Sequence, residues 1–136
     1  MSLFVTLLIN ALATFGAGTI LLVAPDLIWR VFGIPITPAA YFIVYLLGAS
    51  ELSWSLLSGL AMRLNDPASL RVIALACIVL HAISGAAGIF AVVQGSSVLV
   101  LLDVTFRGLM TGLFFWYGLQ RISSRAAGDL ESEATH

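Results

Sequence analysis

The chain has 136 residues, a formal net charge of −1, 60% hydrophobic residues and only 10% charged residues, where an ordinary soluble domain carries roughly 25%. All six cations are arginines, and the mean hydropathy is +1.07. This balance excludes a nucleic-acid binder, which would show a basic stripe, and the single Cys77 excludes an intramolecular disulfide, a CxxC thiol relay and a multi-cysteine zinc or iron–sulfur centre.

Apolar runs at about 3–24, 41–62, 70–93 and 97–119 each approach the ~20 residues that cross a hydrocarbon core. None shows the polar face that a soluble core helix turns to water. The first run lacks a charged n-region and is too long for a signal peptide, so it reads as a retained span. Pro25-Asp26 closes it and opens a short interfacial helix, DLIWRVF, which Gly33 stops. Trp29 on that helix suits the headgroup zone. Pro35 and Pro38 force an extended path into the second span. Asn65-Asp66-Pro67 supplies an N-cap at Asp66 and a proline at the first helical position of the third span. Gln94-Gly95-Ser96-Ser97 reads as a tight hairpin into the fourth.

The expected fold is therefore all-α: a four-helix transmembrane bundle over residues 1–119 and a polar tail over 120–136. Arg63 and Arg71 flank the second loop, and Arg121 and Arg125 follow the last span, whereas the opposite side holds only Arg30. The positive-inside rule puts both termini in the cytoplasm. Ser84-xxx-Gly88 and Ser55-xxx-Gly59, with Gly16, Gly18 and Gly48, are expected to mark faces where helices approach closely.

Five strongly polar residues interrupt the spans: Asn10, Glu51, His81, Asp103 and Arg107. At ~1.5 Å per residue, Glu51 and His81 lie roughly 16 Å from the cytoplasmic boundary and Arg107 roughly 18 Å. Asp103 lies about one turn further out and Asn10 about one turn further in. Asp103 and Arg107 are i and i+4 with the acid on the N-terminal side, the favourable order for a helical ion pair. Charged groups at this depth face the interior and pair, and they mark functional sites by default. Glu51 has no partner on its own helix; His81 and Arg107 are the candidates. Glu51, His81, Arg107 and Asp103 form the expected catalytic set, with Asn10, Tyr45 and Trp54 as ligand-binding residues. Asn10 is expected to hydrogen-bond across helices. Phe114, Phe115, Trp116 and Tyr117 read as interface belt and packing. One interior histidine lacks the second axial ligand a membrane b-type haem wants, and no ligand pair has metal-motif spacing. No metal is assigned, and no cofactor is required.

APDLIWRVFGIP after the first span, LLGASELSWSLLSGLAMR through the second and the four-span length resemble the DoxX-like group of small membrane proteins. The matching positions in span two are Gly48, Glu51, Leu52, Ser58, Gly59 and Leu60. The resemblance implies membrane redox chemistry near quinones, with Glu51 as the one site residue carried over; the missing cysteine pair departs from thiol-based members. A fainter similarity is to small four-span biosynthetic enzymes of the isomerase, cyclase or cofactor-free oxygenase type. The functional expectation is a multi-pass membrane protein that binds a lipophilic, quinone-like molecule at a midplane polar site and performs redox or acid/base chemistry. Its partners are the lipid bilayer, that ligand and a homo- or hetero-oligomer, with no nucleic acid. A non-catalytic assembly subunit is the alternative. A proton or solute transporter ranks below both, because no broken helix or internal repeat is present.

Overall fold

The computed structural model describes residues 2–33 and 37–120. The Trp29 side chain, Pro35, and the tail with Arg121 and Arg125 lie outside the described residues and side chains. Among the described residues the secondary structure is entirely helical: α1 (Leu3–Val23), α2 (Pro25–Val31), α3 (Tyr41–Ala61), α4 (Pro67–Val93) and α5 (Val100–Phe114). A 3-10 turn at Pro38–Ala40 leads into α3, and α5 runs on into a π-helical turn at Phe115–Gln120.

The helix ends follow from local chemistry. The Ser2 hydroxyl accepts from the Val5 N–H and caps α1. Gly33 ends the α2 segment at φ +68°, a left-handed conformation that favours glycine. Asp66 caps α4 through Oδ1 and Oδ2, which accept from the Ala68 and Ser69 N–H groups, and Pro67 follows at the first helical position. The hairpin glycine, Gly95, sits at φ +97°. Two boundaries differ from the sequence expectation. α4 begins at Pro67 rather than 70, because the Asp66 cap makes that turn helical. α5 begins at Val100 rather than 97, because the Ser97 hydroxyl accepts from the Leu99 N–H and residues 97–102 close i→i+3 bonds instead.

Three helical stretches, Leu3–Val23, Pro38–Ala61 and Pro67–Val93, are long and apolar enough to cross a membrane. α5 is a 15-residue helix that carries Asp103 and Arg107. The outer surface is apolar on every side, with Leu12, Phe42, Val72, Ile83, Leu102 and Leu109 all more than 60% exposed. The interior holds Thr6, Asn10, Thr14, Glu51, Ser58 and His81. A chain that turns its apolar groups outward and its polar groups inward is built for lipid, and it reads as a multi-pass membrane protein.

The helices associate as two antiparallel pairs. α1 packs on α3 and α4 packs on α5. Lipid tails are as apolar as leucine, so close van der Waals approach rather than hydrophobic burial drives such pairing. In the first pair, a Cβ on Gly18 would stand 2.8 Å from the Gly48 carbonyl oxygen; in the second, one on Gly88 would stand 2.6 Å from the Val104 side chain. Gly16 and Gly59 meet nothing within 4 Å. Of the small residues expected to pack, Gly18, Gly48 and Gly88 do so and these two do not. A core of Leu7, Ala61, Ala74, Cys77, Met110 and Phe114 seals the end of the molecule where α1 begins and α3 ends. Towards the α2 end a cleft opens between α1, α3 and α5.

Candidate functional site

The two pairs are joined by polar side chains. On the sealed side, Asn10 of α1 donates its amide to Ser58 Oγ of α3 at 2.8 Å. Asn10 Oδ1 faces His81 Nε2 of α4 at 2.8 Å. Because the Asn10 amide nitrogen is committed to Ser58, its oxygen accepts, and His81 Nε2 carries the proton. The ring stacks on Phe114 with centroids 6.1 Å apart and meets Phe106 edge-on at 6.3 Å. His81 is 1% exposed, and its Nδ1 has no hydrogen-bond partner among the described residues.

On the cleft side, Arg107 bridges two acids. Its Nε donates to Asp103 Oδ2 at 2.7 Å, the expected i, i+4 pair, and its Nη2 donates to Glu51 Oε1 at 3.4 Å across to α3. Gly85 of α4 faces this side chain: a Cβ there would lie 3.7 Å from Arg107 Cβ, an ordinary van der Waals contact.

Glu51, His81, Asp103 and Arg107 line one chamber of about 170 Å³, walled on α1 by Ala13, Thr14 and Ala17. Small α1 side chains leave this volume open. Glu51, Asp103, Arg107 and Ala17 also line a second cavity of about 450 Å³, otherwise surrounded by apolar groups of α1, α3 and α5 and roofed by Leu27, Val31 and Phe32 of the α2 segment. The two cavities share Ala17, Glu51, Asp103 and Arg107 as a common wall, so a polar chamber and an apolar vestibule adjoin at these side chains, and together they are the cleft. A larger groove of about 660 Å³ runs along the outside of α1 and α3 but has Arg63 as its one ionisable lining residue. The ionisable side chains Glu51, His81, Asp103 and Arg107 gather at the cleft. No three His, Cys, Asp or Glu side chains among the described residues stand close enough to share a metal ion.

The four residues expected to be catalytic thus converge, and Asn10 bonds across helices as expected. Glu51 pairs with Arg107, while His81 goes to Asn10. Tyr45 and Trp54 are placed elsewhere. Tyr45 is 43% exposed and stacks on Tyr41, whose hydroxyl donates to Asp26 Oδ1 at 2.6 Å. Trp54 packs against the sealed core. Sequence reasoning gave no site role to Ser58, Phe106 or the α2 segment. A Phe at one position of an apolar helix carries no mark of facing a histidine, and Ser58 is one of four serines in the second span, about 6 Å from its cytoplasmic boundary. Compared with known proteins, the chain matches no family model, no curated protein and no solved structure.

Proposed function

We propose that the protein is a four-span membrane protein, with both termini cytoplasmic, that binds a lipophilic molecule in the cleft and exchanges protons with its polar head. The observation that carries the reading is an apolar cavity that shares two carboxylates and a guanidinium with an adjoining chamber lined also by the His81 imidazole. Ligand sites have this form: largely apolar walls with a few convergent polar groups. In this reading the apolar body lies under α2. Arg107, positioned by Asp103, holds a head-group oxygen. Glu51 and His81 give and take protons. A head of the quinone–quinol couple fits: the interconversion moves two electrons, exchanged with a partner redox protein, and two protons, which need carriers at the oxygens. The DoxX-like resemblance belongs to this proposal through Gly48, Glu51 and Ser58, which here make the α1 contact, the Arg107 pair and the Asn10 bond.

The test is mass spectrometry of compounds that co-purify with the protein in mild detergent, beside Glu51→Gln. A lipophilic compound present with the native chain and lost from the variant supports the reading. A native chain that carries no such compound sinks it. A second reading, a non-catalytic assembly subunit, is favoured by the closed Ser58–Asn10–His81 chain, which pins helix register without exposing a reactive group. It expects Glu51→Gln to alter stability or complex recovery and no ligand signal.

A further inference from the structure

Side chains that line the chamber carry unused acceptors. His81 Nδ1 is buried and unpartnered among the described residues. With Nε2–H committed to Asn10, a neutral imidazole presents a lone pair at Nδ1. Glu51 engages Arg107 through Oε1 and Asp103 through Oδ2, which leaves a second oxygen on each carboxylate. The Thr14 hydroxyl on the same wall donates to the Asn10 carbonyl at 2.8 Å and is not spare. On the donor side, Arg107 commits Nε and Nη2 and keeps Nη1. In formal charge, two carboxylates and one guanidinium leave the floor at one negative.

We infer that the chamber selects a ligand whose head is an uncharged hydroxyl, of the phenol or quinol class, over an acceptor-only ether or carbonyl and over an anion. This rests on the reading of the cleft as a lipophile site. A hydroxyl both gives and accepts: it donates to His81 Nδ1 or a free carboxylate oxygen and accepts from Arg107 Nη1. An ether or ketone can only accept, which leaves the buried imidazole nitrogen orphaned, and an orphaned buried acceptor carries its full desolvation cost. A carboxylate head adds a second negative charge to a floor already negative, in a medium that screens little. An ammonium head donates but cannot accept from Arg107, and it would stand beside the guanidinium. Within a quinone–quinol couple, the reduced form is the one this floor holds.

The probes are 4-nonylphenol, its methyl ether 4-nonylanisole, and 4-nonylbenzoate, which share one apolar body. Binding is measured by equilibrium dialysis against the full chain in nanodiscs, with empty nanodiscs subtracted for partition. The phenol binds about tenfold or more tighter than the ether, the range expected when one buried acceptor is satisfied or left bare, and the benzoate binds weakest. In the ¹⁵N spectrum of the histidine-labelled protein, the Nδ1 resonance of His81 shifts with the phenol and not with the ether. His81→Phe brings phenol and ether within about twofold. If that variant does not fold, the phenol-to-ether ratio and the Nδ1 shift on the native chain still decide. Equal binding of phenol and ether overturns the donor-head inference while leaving a lipophile site in place. No saturable binding of any probe overturns both.

Discussion

Arg107 holds together a charge cluster inside an apolar protein, and its removal has a calculable cost. In Arg107→Met the side-chain volume is roughly kept and the charge is lost. The Glu51 side chain is 10% exposed and Arg107 16%, so this pair is effectively buried, whereas Asp103 at 40% is half in the open. Stripping one partner from a buried pair costs about 3–5 kcal/mol, because the other charge is left uncompensated. An accessible pair contributes about 0–1 kcal/mol. The 3.4 Å Glu51 contact is longer than the 2.7 Å Asp103 contact, so the low end applies: about 3 kcal/mol, most of it from stranded Glu51. Glu51→Gln in the Arg107→Met background then recovers the greater part, since whole-cluster neutralisation of buried ions is close to neutral. Adding Asp103→Asn changes the total by less than about 1 kcal/mol. The assay is reversible unfolding by SDS in mixed micelles, followed by circular dichroism, for wild type, the single variant, the double and the triple. A cost below about 1 kcal/mol for Arg107→Met, or no recovery on adding Glu51→Gln, refutes the buried-pair reasoning.

Gly18→Ala and Gly16→Ala share whatever helix-propensity gain alanine brings, so their difference isolates the 2.8 Å approach to the Gly48 carbonyl. Gly18→Ala is expected to be less stable than Gly16→Ala by about 1–3 kcal/mol in the same SDS titration, and equal stabilities would show that the α1–α3 contact is loose. Ser58→Ala removes one interhelical bond and is expected to cost about 0.6 kcal/mol. Asn10→Leu strands both Ser58 and His81 and is expected to cost about 1–3 kcal/mol; a cost no larger than that of Ser58→Ala would mean the His81 bond is not made. Asp66 lies outside the spans, and hydrogen bonds from the Ser69 hydroxyl first, then from the Ser69 and Ala68 N–H groups, hold its carboxyl below the ordinary 3.8. A depressed carboxyl stabilises the fold above its unfolded value and loses that contribution as pH falls through the folded one. The protection of the Ala68 and Ser69 amides relative to their intrinsic exchange rates is therefore expected to fall below pH 3.8, and Asp66→Asn is expected to abolish that acid step.

What the sequence by itself determined are properties that depend on position along the chain. Span locations follow from hydropathy. The Asp103–Arg107 pair follows from i, i+4 spacing, the α4 cap from Asp66-Pro67, and the exclusion of an intramolecular disulfide or CxxC relay from a lone Cys77. Depth along a helix is also linear in residue number, so the gathering of Glu51, His81 and Arg107 near one level, with Asp103 about one turn away, is legible from their positions in the spans alone. What only the tertiary structure decided is rotation about each helix axis. It gave His81 to Asn10 and Glu51 to Arg107, placed Tyr45 and Trp54 away from the cleft, packed Gly18 while leaving Gly16 and Gly59 bare, and laid α2 over the vestibule. The physical reason is the solvent. In water an apolar stripe announces which face of a helix turns inward. In lipid both faces are apolar, and inward orientation is set by close contacts and a few hydrogen bonds between helices, which exist only once the helices have met.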